Sequence, residues 1–179
     1  MDIQLTYHRR HTTTTKVGEI EIGSEHPVRI QTMANTSTND IESSVAQAKR
    51  CVEAGAELLR YTTQGQREVE SLAQIHEKVQ ELRSTGVIPL VADVHFQSDV
   101  ADAAAKVVEK VRINPGNYID PARKFKQIDY TDEEYQTELA RLRQRFVQLI
   151  DICKAHKTAI RIGVNHGSLS DRIMSRYGD

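Results

Sequence analysis

The run Val111-Arg112-Ile113-Asn114-Pro115-Gly116-Asn117 decides how the rest of the chain is read. Val111 and Ile113 are strand formers, and Pro115-Gly116 cannot continue a strand, so the run is a short buried strand that ends in a turn. A charged Arg112 stands between the two apolar residues, and Asn114 falls where the strand stops. The pattern recurs in Ile160-Arg161-Ile162-Gly163-Val164-Asn165 and, less completely, in Leu58-Leu59-Arg60-Tyr61-Thr62. Three strands that each carry an Arg near the C-terminal end point to one converging anion site.

On the N-terminal side of that run, residues 1–13 form a polar tail rich in Arg, His and Thr. From Thr14 to Ile22 apolar residues alternate with polar ones between Gly18 and Gly23, which predicts a small β-hairpin. Val28 to Met33 is the first buried strand, followed by a polar loop ending in a helix N-cap at Asn39-Asp40. A helix from Ile41 to Ala54 has Ile41, Val45, Ala48 and Val52 at helical spacing, with Gly55 closing it. Glu57 to Thr62 is the second strand. A helix bearing Val69, Leu72, Ile75, Val79 and Leu82 follows, then a third strand over Ile88 to Phe96. Ser98 or Asp99 caps a short Ala-rich helix to about Val108. Beyond the central run, residues 118–131 read as a long loop. Thr131 or Asp132 starts a long helix with Tyr135, Leu139, Leu142, Phe146, Leu149 and Cys153 on one stripe. Ile160 to Asn165 is the fifth strand, and Ser168 caps a last helix.

Strict alternation of strand and helix predicts an α/β fold with a parallel sheet covered by helices. No Gly-rich dinucleotide fingerprint follows the first strand, which favours a (β/α)8 barrel over an open doubly wound sheet. Eight units make a barrel and about five are legible, so the expectation is a partial TIM barrel over residues 14–179, preceded by the hairpin. With 179 residues and a net charge of −1, nothing favours nucleic acid as the partner. No apolar run reaches the roughly 20 residues of a membrane span, and residues 1–5 lack a signal-peptide pattern. A cytoplasmic location is therefore expected. Cys51 and Cys153 both fall in helical patterns and read as ordinary thiols. Two isolated cysteines cannot supply a cluster or zinc site.

Each candidate residue has a plainer explanation beside the functional one. Arg60, Arg112 and Arg161 suit an anion clamp, because the guanidinium is a forked donor that is always charged. An internal ion pair with Asp93 would account for a buried Arg equally well. Arg29 is a decoy near the start of its strand and reads as an ion-pair residue. Asp93 and His95 fall on one face of their strand by period-2 alternation; there they can do acid/base work or satisfy one another. Asn114 and Asn165 tolerate turn geometry at strand ends, and gain weight because each follows a site Arg. The loop through His166 and Gly167 to a helix start at Ser168 would make an anion site.

Four ordered motifs together carry a resemblance: Gln31-Thr32-Met33-Ala34-Asn35-Thr36, Val91-Ala92-Asp93-Val94-His95-Phe96, Arg112-Ile113-Asn114-Pro115-Gly116-Asn117, and Arg161-Ile162-Gly163-Val164-Asn165-His166-Gly167-Ser168-Leu169. From about Arg10 to Gly178 the chain resembles the N-terminal barrel region of the 4-hydroxy-3-methylbut-2-enyl diphosphate synthase family, of the methylerythritol phosphate route to isoprenoids. The resemblance implies reductive ring opening of 2-C-methyl-D-erythritol 2,4-cyclodiphosphate, with electrons delivered through a 4Fe-4S cluster from ferredoxin or flavodoxin. It implies that Arg60, Arg112 and Arg161 hold diphosphate oxygens, that Asn114 and Asn165 assist, and that Asp93 and His95 lie near the reacting polyol. The family's cluster ligands lie in a C-terminal domain, so no cluster is expected on these residues and the fragment alone is expected to be inactive. The long connection from Tyr118 to about Ala155 resembles the larger, three-domain form of the family. A pterin-binding barrel of the dihydropteroate synthase kind is the alternative, and the open sheet edge of a partial barrel implies a homo-oligomer.

Overall fold

The protein is described by a computed structural model at residues 9–82, 86–95, 97–120, 124, 126 and 128–178. A two-stranded antiparallel hairpin, β1 (Thr15–Val17) and β2 (Ile20–Ile22), precedes a five-stranded parallel sheet. The sheet runs in sequence order: β3 (Gln31–Met33), β4 (Leu58–Thr63), β5 (Leu90–Val94), β6 (Lys110–Ile113) and β7 (Ala159–Ile162). Between them lie α1 (Ile41–Glu53), α2 (Gln66–Gln80), α3 (Ser98–Ala104) and α4 (Asp132–His156), and α5 (Asp171–Tyr177) follows β7. Sequential order of parallel strands with one crossover helix each is the arrangement of consecutive barrel units.

Strand alternation splits the sheet into two chemically different faces. Leu59, Tyr61, Leu90, Ala92, Val111 and Ile113 face the helices and are buried with Leu72, Ile75, Val100 and Leu149 in one core. The opposite face is inner in the barrel sense. Near its start the hairpin residues Val17 and Ile20 pack on Leu58 and Val91 in a separate small core. Further along that face the residues become charged. The parallel register aligns Thr62 with Asp93, Asp93 with Arg112, and Arg112 with Arg161, so these four share it.

Helix starts follow local chemistry. Asp40 caps α1 by accepting from the Ser43 N–H, and Thr131 with Glu134 forms a reciprocal capping box at α4. Two ends differ from expectation. The first strand of the sheet is only three residues, and Val28 and Ile30 before it are 81% and 56% exposed. β3 is an edge with β4 as its one neighbour, so it has little to bury against. The last helix starts at Asp171 rather than beside Ser168, after a short 3-10 turn over His166–Ser168. The Ser168 hydroxyl is committed elsewhere: it accepts from Asn114 Nδ2 at 2.6 Å and donates to the Asn165 carbonyl at 3.2 Å. The helix expected to start at Ser168 starts instead at Asp171, with Ser170 at its N-cap. Residues 121–123, 125 and 127 of the expected long loop lie outside the described residues.

Candidate anion site on the inner face of the sheet

Asp93 is the hub of the charged face. Its side chain is 4% exposed, and it accepts from Arg60 Nη2 at 2.5 Å and from Arg112 Nη1 at 3.2 Å. His95 Nε2 lies 3.3 Å from the same carboxylate. Strands β4, β5 and β6 thus each contribute to one cluster, as period-2 alternation and the register require. Two guanidinium groups share this buried carboxylate, and the pairing fixes both arginines in orientation.

Arg112 has a second anchor. Its Nη2 donates to the Gly163 carbonyl at 3.1 Å, and a Cβ placed on Gly163 would fall 2.1 Å from Arg112 Nε. Only a residue without a side chain allows the guanidinium to lie against the backbone after β7. Arg60 is anchored less completely, because its Nε is buried without a hydrogen-bond partner. Such a donor is costly to leave unmet.

Arg161 lies apart from the Asp93 cluster. It is exposed and lines an inner-face hollow of about 410 Å³ with Arg9, Gln31, Leu58 and Lys110. Lys110 is the residue that sequence reasoning missed. It is 8% exposed, two residues before Arg112 on the same face, and donates to Gln31 Oε1 at 3.3 Å. Burial, then the nearby Arg161 and Arg60 charges, hold its ammonium below the usual lysine pKa. Simple alternation back from Arg112 would have found it. Among the described residues no carboxylate pairs with Lys110 or Arg161. Four cationic side chains therefore face one carboxylate.

The two asparagines are positioned differently. Asn114 is 5% exposed and both ends of its amide are used: Nδ2 donates to Ser168 Oγ, and Oδ1 accepts from the Gly116 N–H at 3.0 Å. It ties the turn after β6 to the turn after β7. Asn165 is exposed, and its backbone carbonyl receives the Ser168 N–H at 3.1 Å. Arg29, the decoy, pairs with Glu57 at 2.7 Å, away from the Asp93 cluster.

Neither cysteine joins the site. Cys51 is on α1 and Cys153 on α4, and burial pushes the Cys153 thiol up to about 11. Among the described residues no group of three His, Cys, Asp or Glu could hold a metal ion. No described helix is long and apolar enough to cross a membrane.

Comparison with known proteins agrees with the strand-end motifs. A "4-hydroxy-3-methylbut-2-en-1-yl diphosphate synthase (flavodoxin)" of Bacteroides fragilis is 59% identical over all of this chain, which spans 28% of that relative's length. The Arabidopsis thaliana protein named "4-hydroxy-3-methylbut-2-en-1-yl diphosphate synthase (ferredoxin), chloroplastic" is 48% identical over 96% of this chain and 23% of its own. The chain thus spans about a quarter of the length of these relatives. Among solved structures, a 7,8-dihydropteroate synthase from Vibrio fischeri superposes with a TM-score of 0.47 at 13% identity, over 91% of this chain and 72% of its own; that likeness is too low to bear on function. Residues 12–179 match the family model described as the GcpE TIM-barrel domain, and with a sequential parallel sheet whose inner face gathers the strand-end arginines, the chain belongs to the GcpE TIM-barrel domain family.

Proposed function

We propose that this chain is the substrate-binding part of a 4-hydroxy-3-methylbut-2-enyl diphosphate synthase, and that its inner face holds 2-C-methyl-D-erythritol 2,4-cyclodiphosphate. The observation that carries the reading is the surplus of positive charge. Arg60, Lys110, Arg112 and Arg161 share a face on which Asp93 is the paired carboxylate. Buried cations that outnumber the carboxylates beside them, here Lys110 and Arg112 against Asp93, are unfavourable unless an anion completes the set. A cyclic diphosphate dianion meets that need.

The reaction accounts for why fixed cations matter. Ring opening breaks a carbon–oxygen bond to the diphosphate, takes up two electrons, and releases one hydroxyl as water with the protons that this needs. The freed diphosphate oxygen carries a new negative charge, so the ligand passes from dianion to trianion. Donors already held in place bind that developing charge more strongly than the starting ligand. Arg112, braced by Asp93 and Gly163, suits this task best, with Arg60 and Arg161 completing the clamp. Asp93 orients Arg60, Arg112 and His95 together. His95, beside it at the end of β5, is the group we assign to the polyol hydroxyls. Asn114 supports the site by fixing the two turns, and the exposed Asn165 amide is the one left to meet ligand.

The relatives' names indicate flavodoxin or ferredoxin as the electron source, and a 4Fe-4S cluster supplies single electrons in this chemistry. Cys51 and Cys153, on separate helices, do not fit such a cluster.

The test is Arg112→Ala in the full-length protein. Its affinity for the cyclic diphosphate, measured by calorimetry, is expected to fall by about 1.5–3 kcal/mol, the worth of a charge-assisted hydrogen bond. Unchanged affinity would leave Arg112 as a structural ion-pair residue and remove the clamp.

A further inference from the structure

Level with Arg60, and below Arg112 and Arg161, the inner face holds one more cation. Lys110 starts β6, two residues before Arg112 and on the same face. It lines the hollow that Arg161 also lines, and Gln31 of β3 accepts its hydrogen bond at 3.3 Å. A lysine that is 8% exposed is rarely left without a carboxylate. Here the charges that act on it among the described residues are like charges: Arg161 from β7 and Arg60 from β4. Val91, its register partner on β5, is apolar. The hollow is otherwise lined by Arg9, Arg29 and uncharged residues. Folding has thus buried an ammonium among cations, which costs stability that an apolar residue would not. A position that sacrifices stability in this way is the mark of a functional residue.

We propose that Lys110 is a positioning residue of the anion site, its ammonium held by Gln31 as a second tier of positive charge that draws the bound diphosphate into the hollow beside Arg161. This rests on the diphosphate reading above and adds a residue to it. The proton on Lys110 follows from the geometry. With the site empty, neighbouring cations and burial favour its loss; a bound dianion restores it. Affinity is therefore full below the depressed pKa of the empty site and falls as pH rises through it.

The experiment compares the full-length protein with Lys110→Met and Lys110→Arg, titrated with the cyclic diphosphate from about pH 7.5 to about pH 10. The cyclic diester keeps its dianionic charge across this range, and guanidinium groups in general do not titrate in it. Lys110 is thus the titrating side chain lining the hollow among the described residues. For the parent protein the affinity is expected to decline about tenfold across the range. Lys110→Met is expected to bind about tenfold more weakly near pH 7.5 and to lose the pH slope. Its thermal midpoint is expected to rise, because a buried like-charge contact is gone. Lys110→Arg is expected to lose the slope while keeping most of the affinity. A merely structural lysine would give a lowered midpoint with unchanged affinity and slope, and that result overturns the proposal. If the parent protein binds inorganic pyrophosphate but not the cyclic diphosphate, the substrate reading falls. Lys110 is then judged by the same affinity and midpoint comparison on pyrophosphate near pH 7.5. If it binds neither, both fall.

Discussion

Replacing Gly163 by Ala tests whether Arg112 is held by the backbone as well as by Asp93. The added Cβ would sit 2.1 Å from Arg112 Nε and 2.8 Å from Cζ and Nη2. Contacts that short do not persist, so one side has to move. The Gly163 backbone is tied, its N–H donating to the Ile113 carbonyl at 2.8 Å and its own carbonyl accepting from Arg112. The guanidinium therefore swings away and gives up its bonds to Gly163 O and Asp93 Oδ1. Each charge-assisted bond is worth about 1.5–3 kcal/mol, and overpacking alone costs about 1–3 kcal/mol. The overpacking is relieved once the guanidinium has moved, and its rehydration returns part of the lost bonds. The net loss expected is about 2–3 kcal/mol. Urea unfolding followed by far-UV circular dichroism measures it. Gly167→Ala is the control, since a Cβ there meets nothing within 4 Å; its effect is expected to stay within about 0.5 kcal/mol. In an Arg112→Ala background the cost of Gly163→Ala is expected to shrink to about the same level, because the clashing group is gone. If Gly163→Ala costs no more than the control, or costs equally in both backgrounds, Arg112 is not seated as described.

Two further perturbations probe the frame around the site. Asp102 of α3 takes two bonds from Arg145 of α4, at 2.6 and 3.1 Å, while Arg145 also bonds Ser98 and lies over the Tyr118 ring. Asp102→Asn is expected to cost about 1–3 kcal/mol, read from the urea midpoint; a shift under a few tenths would mean the helices are held by their apolar contacts alone. His76 of α2 bonds Glu109 at 2.8 Å, and that bond, against the opposing effect of burial, raises its pKa. Because the folded value lies above the unfolded one, its contribution is complete below about pH 6.5 and is lost as pH rises through the folded value. The His76→Gln protein is expected to lack this loss, which in the parent amounts to about 1 kcal/mol. Imidazole NMR provides the direct check, and a ring titrating at or below the ordinary value would contradict it.

Periodicity made most of the fold legible. The five strands, the hairpin and four of the helices follow from alternation, helical spacing and capping residues. The misses have local physical causes. Val28 and Ile30 carry a strand pattern, but at an outer strand there is no second neighbour to bury them. Ser168 has the composition of an N-cap, but Asn114 from another turn claims its hydroxyl first. Both outcomes depend on contacts between segments far apart in sequence, which propensity does not register.

The candidate site was legible to the level of residue type and face, and no further. Alternation places Asp93 and His95 on one face of their strand, and the register of the folded sheet aligns Asp93 with Arg112 and Arg112 with Arg161. What alternation cannot give is pairing. An ion pair and an anion clamp look like competing explanations of a buried Arg when only the sequence is considered. In the folded chain the two are compatible: Asp93 pairs with two guanidinium groups, and among the described residues the face still holds more cations than carboxylates. Gly163 illustrates the same limit from the opposite side. Its part in the site is the absence of a side chain at the point where Arg112 meets the backbone, and no motif of reactive groups would single it out. Lys110 was within reach of the pattern but carried no weight there, since a lysine at a strand start is usually solvent-exposed. Its significance comes from being buried beside Arg161 and Arg60, a juxtaposition created by three strands that lie 50 and 51 residues apart in sequence.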